Sequence, residues 1–106
     1  MAWIFLFLAG LFEIGWAVGL KYTDGLSRPL PTVLTAASMI ASVVLLGLAL
    51  RSIPLGTGYA VWTGIGTVGT VIFGILFLAE PATALRLGCV GLILAGIVGL
   101  KLLSNT

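Results

Sequence analysis

The sequence predicts an all-α membrane protein with four transmembrane helices, and three observations carry that reading. Hydrophobic residues make up 60% of the 106-residue chain and charged residues 8%, where a soluble domain carries about 25% charge. The mean hydropathy is +1.29. The apolar residues fall into four runs, roughly 2–20, 30–50, 55–78 and 84–103, each close to the ~20 helical residues that cross a ~30 Å hydrocarbon core. Helix is the expected form because lipid offers the backbone no hydrogen-bond partners. The length leaves room for one domain, 1–106, and no second module.

Each break between runs has a physical reason. Lys21-Tyr22-Thr23-Asp24-Gly25 ends the first helix with a cation and a turn dipeptide. Pro29 and Pro31 suit the first turn of the second helix, where a missing N–H does no harm. Arg51-Ser52-Ile53-Pro54 separates the second and third runs, and Glu80-Pro81-Ala82-Thr83 the third and fourth, with Thr83 as the expected N-cap. The triplet Ala17-Val18-Gly19 has the small-x-small form of a signal-peptidase site. No positive segment precedes the run and an acid interrupts it, so cleavage is not expected.

The remaining composition excludes several function classes. The net charge of +2 reflects scarce acids, three against five bases, and no basic patch, so nucleic acid is not an expected partner. Histidine is absent and Cys89 is the only cysteine, which leaves no zinc site and no internal disulfide. No metal, cofactor or nucleophile–base pair is expected, and an enzyme is therefore not expected either. Cys89 sits in an apolar run as a small packing residue. Gly64-Ile65-Gly66-Thr67-Val68-Gly69 formally matches a dinucleotide-binding fingerprint, but no strand precedes it and no acid follows at the ribose distance. Clustered glycine in an apolar helix points instead to a soft or kinked segment, with Gly64 and Gly66 as candidate hinges.

Glu13 is the only acid inside any of the four runs. A carboxylate at bilayer depth is unfavourable by ~2.5–3.5 kcal/mol on insertion scales, and such residues mark proton or cation sites. Its helical neighbours at three and four residues are Ala9, Gly10, Trp16 and Ala17. One face thus carries small residues, an acid and an indole. Trp16 lies too deep for the interfacial belt; either its N–H meets the carboxylate or its ring packs between helices. Tyr59, Trp62 and Gly66 share a face of the third run in the same way. Ser38 and Ser42 share a face of the second, where intramembrane serines either bond to their own helix carbonyls or serve a site.

The fourth run carries Gly88, Gly91, Gly96 and Gly99 and no acid or aromatic, a helix suited to close contact with another helix. Lys101 near its end can snorkel to headgroups; the alternative is a role at a substrate exit. Four spans put both termini on one side with Arg51 and Lys101, and leave Lys21, Arg28 and Arg86 on the other. Two against three is nearly no bias. Either it suffices to orient the chain, or the protein inserts both ways round. A cation path needs enclosing walls, and three substrate-facing helices with one acid wall only part of it. Secondary transporters commonly join two inverted halves around a midplane site. An antiparallel homodimer of this chain would supply the second half.

The whole chain resembles the small multidrug resistance (SMR) transporters. The resemblance rests on length and four-span layout, on Glu13, on Trp16-Ala17-Val18-Gly19-Leu20-Lys21-Tyr22, and on Pro54-Leu55-Gly56-Thr57-Gly58-Tyr59-Ala60-Val61-Trp62-Thr63-Gly64-Ile65-Gly66. Gly91-Leu92-Ile93-Leu94-Ala95-Gly96-Ile97-Val98 resembles that family's dimer-contact helix, with Gly91 and Gly96 at the contact. Exporters of polyaromatic cations in the family usually carry a small hydroxyl residue three positions after the central acid. Trp16 stands there instead, which is similar to the guanidinium-exporter subtype, as are Gly10 and Ser42. The resemblance implies a bacterial inner-membrane, multi-pass, dual-topology homodimer that exports guanidinium-type cations in exchange for protons. Glu13 would bind proton or cation by turns, with Gly10, Trp16, Ser42, Tyr59 and Trp62 as its polar support. Guanidinium is planar and donor-rich, and carboxylates bind it in two-pronged fashion. On this reading Trp16 and Trp62 donate indole N–H bonds to Glu13 or offer ring faces to the cation, Ser42 steadies the carboxylate, and Tyr59 gates. The competing readings are a broad quaternary-ammonium exporter of the same family, a passive cation channel, and a non-transporting membrane assembly subunit.

Overall fold

A computed structural model describes residues 1–103. It contains four α-helices: α1 (Ala2–Tyr22), α2 (Pro29–Ala49), α3 (Leu55–Phe77) and α4 (Ala84–Leu103). Each is long and apolar enough to cross a membrane. The observed boundaries lie within two residues of those expected from the apolar runs. Proline opens α2 as expected. Thr83 caps α4, its Oγ1 accepting the Arg86 N–H at 3.2 Å.

The helices stand in a row, α2–α1–α3–α4. α1 packs against both α2 and α3, α2 approaches α3 weakly, and α4 packs its backbone against α3 alone. The resulting slab measures 43 × 35 × 17 Å between Cα atoms. With packed helices 8–10 Å apart, the thin dimension holds no more than two layers. The buried core of Leu6, Ala9, Leu46, Ala49, Ile53, Val61 and Trp62 gathers at the end of the slab where α2 turns into α3. Large apolar side chains of all four helices face outward, as a lipid-facing surface requires.

The α1–α2 turn is held by one residue. Fully buried Thr23 donates its hydroxyl to Leu20 O at 2.8 Å and accepts the Leu26 N–H at 3.2 Å. The Thr23 carbonyl accepts the N–H groups of Ser27 and Arg28. Between them Asp24, Gly25 and Leu26 all take positive φ (50°, 72° and 70°), a conformation free of strain only for the glycine.

Glycines set the helix–helix contacts, as small residues do within membranes. A Cβ on Gly10 would meet Ile65 of α3; one on Gly69 would meet Ile14 of α1; one on Gly64 would meet Ile97 and Ile93 of α4. Gly66 faces the Glu13 carboxylate itself. These pairings run in the same direction along both chains, so α1 and α3 are parallel neighbours. The glycine cluster in α3 therefore has an immediate packing role, and α3 runs unbroken through Gly64 and Gly66. α4 is different: none of its residues is buried, and Gly88, Gly91, Gly96 and Gly99 face open space.

Candidate functional site

Glu13 sits near the middle of α1, on the side turned toward α3. With Ala17 of α1 and Gly66, Thr67, Thr70 and Val71 of α3 it lines a pocket of about 280 Å³. Gly66 is what lets the carboxylate lie against α3, since any side chain there would occupy its position. Among the described residues the ion pair is the surface contact of Arg86 with Glu80 at 3.5 Å, and Glu13 pairs with no cation among them. Its Oε1 is buried and makes no hydrogen bond within the chain. The Trp16 indole N–H, one turn along the same helix, is likewise buried and unpaired, as is the Thr70 hydroxyl. A buried polar group without a partner is unfavourable by about 1–3 kcal/mol. The carboxylate and the Thr70 hydroxyl supply unmet acceptors that a donor-rich cation can satisfy, whereas the Trp16 N–H, a donor only, needs an acceptor such as the carboxylate.

The other expected support residues sit differently from expectation. Ser42 and Trp62 do not contact Glu13; they contact each other. Trp62 Nε1 donates to Ser42 Oγ at 2.9 Å, and Ser42 Oγ donates to the Ala9 carbonyl of α1 at 2.7 Å. Ser38 Oγ reaches the Phe12 carbonyl at 3.4 Å. The two serines thus bond neither to their own helix nor to the acid. In an α-helix the Ala9 and Phe12 carbonyls are the acceptors for the backbone N–H groups of Glu13 and Trp16. The serines therefore grip the helical turns that carry the acid and the indole. The reason is geometric: Glu13 leans toward α3, whereas α2 meets the opposite side of α1. Tyr59 packs edge-on against Trp62, ring centroids 5.4 Å apart and planes at 60°, and remains half exposed. Gly10 is buried beneath Ile65. Lys101 holds its ammonium 4.9 Å from the centre of the Trp3 ring and does not line the Glu13 pocket.

Sequence reasoning missed Thr67 and Thr70. Their signal was the recurrence of Thr63, Thr67 and Thr70 at helical spacing beside Gly66, so that hydroxyls share a face with the glycine that admits the acid.

Four membrane-length helices, a lipid-facing surface and a lone mid-span carboxylate in a pocket define a small multi-pass membrane protein. The chain belongs to the small multidrug resistance family: the family model described as "Small Multidrug Resistance protein" matches residues 1–103. It is 59% identical over 104 residues to the guanidinium exporter of Yersinia pestis, covering 98% of this chain and 100% of that one. It is 57% identical over 102 residues to the guanidinium exporters of Citrobacter freundii and Salmonella typhimurium, covering 96% of this chain and 97% of each of theirs.

Proposed function

We propose that this protein is a proton-coupled antiporter that exports guanidinium and small substituted guanidinium ions across a bacterial inner membrane, working as an antiparallel homodimer. The observation that carries the reading is Glu13: a carboxylate with no cation partner among the described residues, its Oε1 unbonded, in a pocket walled by two helices. Exchange follows if proton and cation compete for that one group. The binding of one displaces the other, and the substrate-free, proton-free state is disfavoured by its buried charge. Relatives at 57–59% identity that are named guanidinium exporters support the substrate class.

The thin slab supports the dimer. One copy leaves the Glu13 pocket open on the side away from α1 and α3, and α4 presents Gly91 and Gly96 outward, where a second α4 can approach closely. A second, inverted copy would close the path and bring a second Glu13 to the midplane. Gly64 and Gly66 are the points where α3 would flex as the two halves alternate.

The decisive experiment is guanidinium uptake into proteoliposomes under an imposed pH gradient. Guanidinium accumulation with opposite proton movement is expected, and downhill leak without proton movement would identify a channel instead. A panel of cations at one pH then tests breadth. Guanidinium and singly substituted guanidiniums are expected to exchange well, and tetraphenylphosphonium poorly or not at all, because a bulky aromatic cation without N–H donors leaves the buried Glu13 Oε1 and Thr70 Oγ1 acceptors unpaired at about 1–3 kcal/mol each. Fast tetraphenylphosphonium transport without guanidinium transport would move the assignment to the broad-specificity exporters.

Dual insertion is the second expectation. A reporter fused at the C-terminus should be detected on both faces of the membrane, and a few lysines added to one side should trap a single orientation. Detection on one face only for the native chain would exclude the antiparallel arrangement.

A further inference from the structure

We infer that Thr70 is a substrate ligand and a determinant of specificity, an inference that rests on the guanidinium-exchange reading above. Three threonines lie along the same part of α3, and two of them behave as intramembrane threonines usually do. Thr63 Oγ1 donates to Tyr59 O at 2.7 Å and Thr67 Oγ1 donates to Thr63 O at 2.7 Å, each capturing the carbonyl one turn earlier. The corresponding acceptor for Thr70 is the Gly66 carbonyl. Thr70 Oγ1 does not take it; the hydroxyl is buried and makes no hydrogen bond within the chain. A rotation about one bond would remove that penalty in an ordinary helix. Thr70 instead lines the Glu13 pocket one turn from Gly66, the residue that admits the carboxylate.

The chemistry of a hydroxyl suits this place. It donates one hydrogen bond and accepts two. Facing a carboxylate and a cation in one pocket, Thr70 can donate to Glu13 while its lone pairs accept an N–H of the guanidinium that Glu13 holds. A cation without N–H donors gains nothing from those lone pairs. Thr70 thus adds to the preference for guanidinium over quaternary ammonium ions that the two-pronged Glu13 carboxylate already confers. Thr67 lines the same pocket, but its proton is committed to the Thr63 carbonyl, so it cannot donate to Glu13.

The test compares Thr70→Val, which keeps shape and removes the hydroxyl, with Thr70→Ser, which restores it. Reconstituted protein is assayed for exchange of guanidinium and of tetramethylammonium. For Thr70→Val the KM for guanidinium should rise about tenfold or more, the loss of one hydrogen bond to a charged group. Its KM for tetramethylammonium should rise far less than that for guanidinium, and Thr70→Ser should return the guanidinium KM to the wild-type value. An unchanged guanidinium KM in Thr70→Val, with wild-type exchange intact, overturns the Thr70 assignment alone. So does an equal loss for both cations that serine fails to rescue, since that marks a packing role. Wild-type protein that exchanges tetramethylammonium but not guanidinium overturns both the Thr70 assignment and the function it rests on.

Discussion

Glu13→Gln protein should insert and assemble as the wild type does, yet show guanidinium/proton exchange no greater than that of empty liposomes. Glutamine preserves the length and nearly the shape of the side chain, so Gly66 still accommodates it and α1–α3 packing is kept. What disappears is the charge and the site of protonation. Hydrogen bonds to a charged group are worth about 1.5–3 kcal/mol each, and a two-pronged carboxylate–guanidinium pair contains two of them. An amide offers one acceptor and two donors, and those donors oppose the N–H groups of the cation. No other acid lies within the four helices, the remaining two being Asp24 and Glu80 in the turns, so nothing in the span can take over. The measurement is a paired record of guanidinium and proton flux in proteoliposomes, with crosslinking to confirm that assembly is intact. Undiminished coupled flux in this variant would sink the carboxylate mechanism.

Gly66→Ala should produce the second-largest effect, although it adds a single methyl group to a helix. That methyl would fall where the Glu13 carboxylate now lies. The obstructing atoms are the end of a flexible side chain, so the fold yields by swinging the carboxylate away rather than by parting α1 from α3. The protein should remain folded, since alanine favours helix over glycine by about 1 kcal/mol, while the acid leaves its place in the pocket. Losing one charge-assisted contact weakens guanidinium binding by about 10- to 100-fold. Gly56→Ala is the matched control: it lies on the same helix, a Cβ there meets nothing within 4 Å, and it should transport as wild type. A Gly66→Ala protein with wild-type KM would show that the carboxylate does not work from the position against α3.

Much of the fold was legible because a bilayer imposes simple rules. Run length and the identity of the break residues placed all four helices, and Pro29, Pro54 and Thr83 marked their starts. The acid at Glu13 was legible for the same reason: its position is unfavourable, and nothing structural in its own helix accounts for it. Which helix each face meets was not legible. A helix apolar on every side gives no sign of which side touches a neighbour and which touches lipid. The family resemblance made Ser42 a partner for Glu13, whereas α2 meets the far side of α1 and Ser42 bonds to Ala9 O. Thr70 escaped notice because threonine in a membrane helix usually satisfies itself on its own backbone, and only the three-dimensional arrangement shows that this one does not.

That α4 has no fully buried residue bears on how much working transporter a cell contains. In water, a helix with no buried residue would drive association strongly. In a bilayer the surrounding acyl chains are as apolar as leucine, and association rests on packing and small-residue contact alone. If a second copy completes the transporter, as proposed, the lone protomer would be at home in the membrane and pairing would obey mass action in two dimensions. Output would scale with the square of surface density when copies are scarce and linearly once they are abundant, making gene dosage itself a threshold for export.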